Sequence, residues 1–385
     1  MRFHPALFGL IFLAMTACHR MGDDEDYSAR AYASAGEVIS LKHQASEAPG
    51  TTYRMAYRST DAHLPHQLVA VSATVIVPYG RPPSGGWPIV AWAHGTSGLA
   101  ITCAPSIMGI GGPQASFYGA WIRRGFAVVG TDFPGLGEAG TPLYLNSRSE
   151  GMAVLDSVRA ATRAVRGLSD RVVLLGHDQG AHAVIAAAGM AAGYTPELQI
   201  LGTIAVGAPD PANDPQFFSG VHGESRFSPN VFYALMMGAS LGRADSQFIP
   251  ERAFTDRAME LYGKASRECR SDVFAAMEHR RLTPANAFAP GVATALKPAL
   301  DWSRYPTLAL KQPLMLAIGG GDTQIPLGVQ ERLGQNLCAA GTPVSVYHYA
   351  GAEHTPVLHR AQMDALDFAD GLLSGRAPAS TCHPG

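Results

Sequence analysis

The stretch that most constrains this chain runs from Arg171 to Ala191 and reads RVVLLGHDQGAHAVIAAAGMA. Val172 to Leu175 is a short apolar run of the kind buried on both faces of a parallel sheet. It meets Gly176-His177-Asp178-Gln179-Gly180 and then an alanine-rich segment, so the pattern passes from a strand through a sharp turn into a helix. Gly176 and Gly180 flank Asp178 at the spacing where a strained turn needs small neighbours. The first N–H groups of the following helix point at whatever that turn displays.

The rest of the chain reads as a sheet with helical connections. Glu37 to Ala45, Thr52 to Ser59 and Gln67 to Pro78 are rich in β-formers and are expected to open the sheet as antiparallel strands. Trp87 to His94, Phe126 to Asp132, Ile200 to Val206, Leu314 to Ile318 and Val344 to Tyr349 read as further strands. Helices are expected at Phe117 to Arg124, Gly151 to Val165 and Leu358 to Leu373. Strand and helix in alternation predict an α/β fold with a mostly parallel, doubly wound sheet. The composition agrees: 47% hydrophobic residues support one large core, and 42 glycines with 27 prolines suit many tight connections. A net charge of −2 with no long basic run gives no electrostatic footprint for nucleic acid, and that class of partner is set aside. Oligomeric state is not legible.

Two further segments lie at strand ends. Gly319-Gly320-Gly321-Asp322 follows MLAI, and Gly351-Ala352-Glu353-His354 follows VSVYHYA. Asp178, Asp322 and His354 come in the order nucleophile, acid, histidine, each at the carboxyl end of a strand where α/β folds build sites. A histidine there moves protons, and a carboxylate behind it holds its tautomer. Glu353 is the alternative acid. His177, His182, His348 and His359 are read as packing or surface residues. The one literal G-x-S-x-G match, Gly238 to Gly242 around Ser240, has no strand before it and is read as a chance match within a helix.

Together the segments HGTSGLA–ITCAPS, GHDQGAHA, GGGDTQIP and GAEH resemble the secretory lipase family of the α/β-hydrolase superfamily, over most of the chain from about Tyr53 to the end. The resemblance implies hydrolysis of an apolar ester or lipid without cofactor or metal. It implies that His94-Gly95-Thr96-Ser97-Gly98 is an oxyanion loop, with the backbone N–H groups of Thr96 and Gln179 facing a developing negative oxygen and His94 positioning the loop. It also implies that the helical stretch 211–305 is a cap, inserted into a core of residues 37–210 and 306–385. Cys103, Cys269, Cys338 and Cys382 show no C-x-x-C spacing, so a zinc or redox motif is unsupported; they can pair in three ways, of which the resemblance favours Cys103–Cys269 and Cys338–Cys382.

One residue departs from the family pattern, because the esterases carry serine where this chain has Asp178. A carboxylate attacking an ester carbonyl forms a mixed anhydride and returns more readily than an alkoxide leaves. At an sp3 carbon the same carboxylate can displace a halide or open an epoxide, leaving an alkyl ester that a histidine-activated water hydrolyses. Tyr233, Tyr262 and Tyr305 are the tyrosines of the cap stretch able to protonate a leaving oxygen, and Trp302 is a candidate halide donor. A non-catalytic relative that binds an apolar ligand, with Asp178 a relic, is the remaining alternative.

The N-terminus carries Arg2, an apolar run from Leu7 to Leu13 and Ala14-Met15-Thr16-Ala17-Cys18. That run is too short to span a bilayer, so residues 1–18 are expected to be an export signal. Its end resembles a bacterial lipoprotein cleavage box, which would make Cys18 a lipidation site and the protein's only link to a membrane, and His19 after it favours the outer membrane. Residues 19–36 then read as a flexible tether.

Overall fold

The computed structural model describes residues 34–64, 67–219 and 228–382. The export signal, Cys18 and residues 19–33 of the tether lie outside the described residues.

The nine strands are β1 (Val38–His43), β2 (Gly50–Thr60), β3 (Leu68–Pro78), β4 (Trp87–Ala93), β5 (Ala127–Thr131), β6 (Leu168–His177), β7 (Gln199–Val206), β8 (Leu314–Gly319) and β9 (Val344–Tyr349). They form one sheet in the order β1-β2-β3-β5-β4-β6-β7-β8-β9. The first three are antiparallel neighbours and β3 pairs antiparallel with β5, while every pair from β5 to β9 is parallel. Strand β4 has β5 on one side and β6 on the other, so the chain reverses its winding there and leaves a crevice at the carboxyl edge. Ala93 pairs with Gly176 in that register, which sets the loops after β4 and β6 side by side.

Helices Ser147–Ala164 and Gln179–Tyr194 cover one face over Val154, Leu155, Val158, Val184 and Ile185. Helices Gly112–Arg123 and Gln362–Leu373 cover the other over Phe117, Trp121, Leu366 and Phe368. Between β7 and β8 the described chain is helical, and its longest element, Pro229–Ala244, sits in a core of its own with Leu235, Met236, Phe254 and Leu261. That core also takes in Leu99, Tyr144, Leu145, Ile325 and Val329, so it is seated on the crevice. Disulfide Cys103–Cys269 ties the loop after β4 to the start of helix Arg270–His279, and Cys338–Cys382 ties helix Leu327–Ala339 to the C-terminal tail.

Two helices differ from the sequence pattern. The helix expected from Gly151 begins at Ser147, because the Asn146 side chain accepts from the N–H of Ser149 and caps an earlier turn. The closing helix expected over Leu358 to Leu373 is two helices, Pro356–Arg360 and Gln362–Leu373, separated at Ala361, whose ψ of −11° resets the turn.

The turn at the centre depends on absent side chains. A Cβ on Gly176 would sit 2.1 Å from the carbonyl oxygen of Gly180, and one on Gly180 would sit 1.9 Å from the carbonyl oxygen of Ala93. Gly193, near the end of the same helix, has open space around it. Urea unfolding of Gly180→Ala is therefore expected to show a loss of about 2–3 kcal/mol or more. Gly193→Ala should instead gain about 0.5–1 kcal/mol, as a relieved helical glycine does. Equal effects at the two positions would mean that the turn tolerates a methyl group.

Candidate active site

Asp178 caps the helix Gln179–Tyr194 with φ 53° and ψ −120°, a conformation that costs a non-glycine residue about 1–3 kcal/mol. The backbone pays out that strain into contacts on both sides: Asp178 N–H donates to the Val206 carbonyl at 3.0 Å, and its own carbonyl accepts from His182 N–H at 3.1 Å. Gly95 lies against the turn, where a Cβ would come 3.1 Å from Nδ1 of His177. The side chain is buried and held at two ends. Oδ2 accepts from the backbone N–H of Thr96 at 3.0 Å and from its hydroxyl at 2.7 Å. Oδ1 lies 3.5 Å from Nε2 of His354, an ion-pair distance.

His354 continues the line. Its Nδ1 bonds Oδ2 of Asp322 at 2.8 Å. Asp322 is fixed in turn by the N–H groups of Gln324 and Ile325 on Oδ1, and by Gln330 Nε2 on Oδ2 at 3.2 Å. Burial by itself lowers the pKa of His354, but the carboxylates of Asp178 and Asp322 outweigh it and raise it to about 9. Burial pushes Asp178 upward; the His354 ring, His177 and the Thr96 N–H overcome it and hold the carboxyl well below the usual range. His177 is driven down to about 4 by burial and then by His354, so it is neutral. Its Nε2 donates to the His354 carbonyl, which can only accept, at 2.8 Å, clamping the loop that carries the second histidine. At rest the Asp178 carboxylate thus faces an imidazolium on His354.

The structure brings Asp178, His354, Asp322 and Thr96 together. Gln179 opens its helix, so its N–H belongs to the first turn that has no intrahelical acceptor. Its side chain donates to Oε1 of Glu150 at 2.7 Å. His94 bonds the Gly95 carbonyl at 2.7 Å and braces the loop. Glu353, His348 and His359 are exposed, and His182 bonds the Ser303 carbonyl at 2.8 Å from a buried position. Trp302 cannot serve as a halide donor: its Nε1 donates to the Tyr144 carbonyl at 3.2 Å. Tyr305 is tied to the Pro209 carbonyl at 2.6 Å. Tyr262 packs against Gly242, whereas Tyr233 lines a cavity of about 20 Å³ beside Asp178 together with Leu145, Phe217, Ile325 and Val329. Among the described residues no group of three or more His, Cys, Asp or Glu is placed to hold a metal ion.

Glu150, Tyr144 and Gln330 were not singled out from sequence. Glu150 stood just outside the expected helix, and only the Asn146 cap one turn upstream would have drawn it in. Tyr144 and Gln330 carry no local signal.

The secretory lipase family model matches residues 114–380, a span that holds Asp178, Asp322 and His354. The chain belongs to the secretory lipase family. The match begins downstream of Tyr53 and leaves the Thr96 loop outside it. A relative described as Lipase A, from Moesziomyces aphidis, is 31% identical over 216 residues, which are 52% of this chain and 44% of that relative; the chain thus spans under half of its length. Candida antarctica lipase A superposes with a TM-score of 0.72 at 24% identity, over 90% of this chain and 84% of that one. The rice cell wall degrading esterase LipA from Xanthomonas oryzae gives 0.72 at 16% identity, over 89% and 100%. At these identities the structural likeness shows the α/β-hydrolase fold. In this secretory lipase relative, no described helix is long and apolar enough to cross a membrane.

The ion pair has a pH signature. His354, raised to about 9, contributes stability that is complete below its unfolded value of about 6.5 and is lost as pH rises through about 9. Asp178, depressed, contributes stability that is complete above its unfolded value of about 3.9 and is lost as pH falls toward its folded value. The pair therefore stabilises most fully between about pH 5 and 6.5. Asp178→Asn removes one of the two anions, so an NMR titration should find His354 moved from about 9 toward the ordinary histidine range. A value that stays near 9 would mean that Asp322 alone holds the proton.

Proposed function

We propose that the protein is an exported lipase-like hydrolase of an apolar ester or lipid, working at the line from Asp178 through His354 to Asp322 under a cap formed by residues 211–305. One observation carries this reading: a carboxylate, a histidine and a second carboxylate run through a strained elbow at the crevice of the sheet, at 3.5 Å and 2.8 Å. The cavity beside Asp178 has room for about one water, so a substrate enters only when the cap lifts. Beside the carboxyl groups of Asp178, Asp210 and Asp214 its lining includes Leu145, Phe217, Ile325 and Val329, which suit an uncharged, largely apolar group.

A second reading concerns the bond that is broken, and the position of Oδ2 favours it. The donors that would receive the oxygen of an attacked ester carbonyl already hold Asp178 itself. For attack on an sp3 carbon of an epoxide or alkyl halide, the same placement is an asset. Oδ1 forms the bond to carbon and the carbon–leaving-group bond breaks; an epoxide oxygen takes its proton from imidazolium His354. Asp178 is then a neutral ester, the anion that kept His354 protonated is gone, and the imidazole is free to take a proton from water. Water adds to the Asp178 carbonyl, the oxyanion forms at Oδ2 against Thr96, and the alcohol leaves as the carboxylate returns. A halide leaves without a proton, and His354 passes its own to solvent before the water step.

Turnover in oxygen-18 water distinguishes these routes. Exposed to a panel of epoxides, alkyl halides and esters, the Asp178 peptide is expected to gain label by mass spectrometry with the substrate that is hydrolysed. Hydrolysis that leaves the Asp178 peptide of the natural chain unlabelled and persists in Asp178→Ala would overturn the nucleophile assignment. Asp178→Ser frees the Thr96 donors and supplies the family's nucleophile, and should raise p-nitrophenyl butyrate hydrolysis at least about 100-fold above the natural chain. No gain would favour a non-catalytic binder of apolar ligands.

Lipidation of Cys18 is the finer reading of localisation. Cells expressing the full chain and fed radiolabelled palmitate should label it, and Cys18→Ala should abolish the label. Equal labelling of both chains would place the anchor elsewhere.

A further inference from the structure

The segment from Tyr144 to Glu150 touches both the cap stretch and the elbow, and nothing in the triad accounts for it. Tyr144 is buried and reaches into the site with its hydroxyl, 2.7 Å from Oγ1 of Thr96. Proton accounting fixes the direction of that bond. Thr96 has one hydroxyl proton, and the 2.7 Å contact with an ionised carboxylate takes it, because the carboxylate can only accept. Oγ1 of Thr96 must then accept from Tyr144, whose phenol is kept neutral by burial and by the charge of Asp178. The chain of donation runs from Tyr144 to Thr96 to Asp178, and each bond in it strengthens the next.

What holds Tyr144 is the helical stretch above it. Its N–H donates to Oγ of Ser240 at 3.0 Å and its carbonyl accepts from Nε1 of Trp302 at 3.2 Å, so both backbone groups are bonded to that stretch. The next residue, Leu145, turns at φ 57°, and its N–H donates to Oε1 of Glu150 at 2.8 Å. The same Glu150 oxygen accepts from the Gln179 side chain, which pins the segment to the elbow from the other side. Ser240, the serine of the chance motif, thus has a definite occupation.

We propose that Tyr144 is a positioning residue for the oxyanion side of the site: held from the cap by Ser240 and Trp302, its hydroxyl keeps the Thr96 proton aimed at the carboxyl of Asp178 and at the oxyanion that forms there. The proposal rests on the reading that Thr96 and Asp178 belong to a working site. It ties the donor strength of Thr96 to a seated cap. Lifting the cap withdraws Ser240 and Trp302 from Tyr144, and closing it over a substrate restores the bond that the reaction uses.

Two measurements test this. In the natural chain, a crystal structure of Tyr144→Phe is expected to show Thr96 Oγ1 released from Asp178, beyond 3.5 Å, with the fold intact. A hydroxyl still at 2.7 Å would overturn the proposal, since Thr96 would need no help. In the Asp178→Ser background with p-nitrophenyl butyrate, Tyr144→Phe should lower kcat about 10–100-fold with KM changed less than about twofold. Ser240→Ala should lower kcat in the same direction but less. Replacing Tyr144 by 3-fluorotyrosine and 3,5-difluorotyrosine should raise kcat as the phenol becomes a stronger donor, an order that a merely structural role would not produce. A kcat within twofold of the parent in Tyr144→Phe, or rates that follow melting temperature and ignore phenol acidity, would overturn it. Should Asp178→Ser hydrolyse no ester, the ester reading fails by itself and the crystallographic comparison still decides the role of Tyr144.

Discussion

A carboxylate buried at the tip of a strained turn is the constraint on which the rest of this structure depends. Taking such a charge out of water costs several kcal/mol unless donors and a counter-charge meet it. Asp178 finds two donors on Thr96 and a cation on His354, whose charge Asp178 and Asp322 sustain together. The groups come from the loops after β4, β6, β8 and β9. The strand order that places them side by side, with β4 beside β6 and β8 beside β9, is therefore an electrostatic requirement as well as a topological one.

The glycines are what allow the approach. With a methyl on Gly180, the helix that carries the elbow could not lie against the Ala93 carbonyl, and the Thr96 loop would move away from Asp178. His177 performs a matching task on the other side by donating from Nε2 to the His354 carbonyl and so clamping that loop. An aspartate in this position also changes the state of the site at rest. Asp178 fills both Thr96 donors with its own Oδ2, where a serine would leave them open.

How much of this was legible follows from the range of the interactions. The elbow, Asp322 and His354 could be read because each is announced by neighbours within a few residues: an apolar run, then glycine, then a polar residue at a strand end. The parallel strands were readable for the same reason. The motif around Ser240 was set apart because a helical pattern precedes it, and the structure puts it within helix Pro229–Ala244. Trp302 was misread as a halide donor because its partner, the Tyr144 carbonyl, is 158 residues away. Glu150 and Tyr144 were passed over for the same cause. Their partners at Gln179 and Ser240 are 29 and 96 residues distant, and no periodicity encodes a contact of that length.

By itself, the sequence determined the fold class and the family and pointed to three residues that the structure brings together, because glycine spacing, strand composition and the order of three residues are local properties of the chain. The elbow also declared that the residue in the nucleophile's place is an acid. Only the tertiary structure decided what that acid does at rest: which of its oxygens takes the Thr96 donors and which faces His354. Hydrogen-bond direction and protonation state belong to an arrangement of groups brought together from distant loops, and they exist only once the sheet has set those loops side by side.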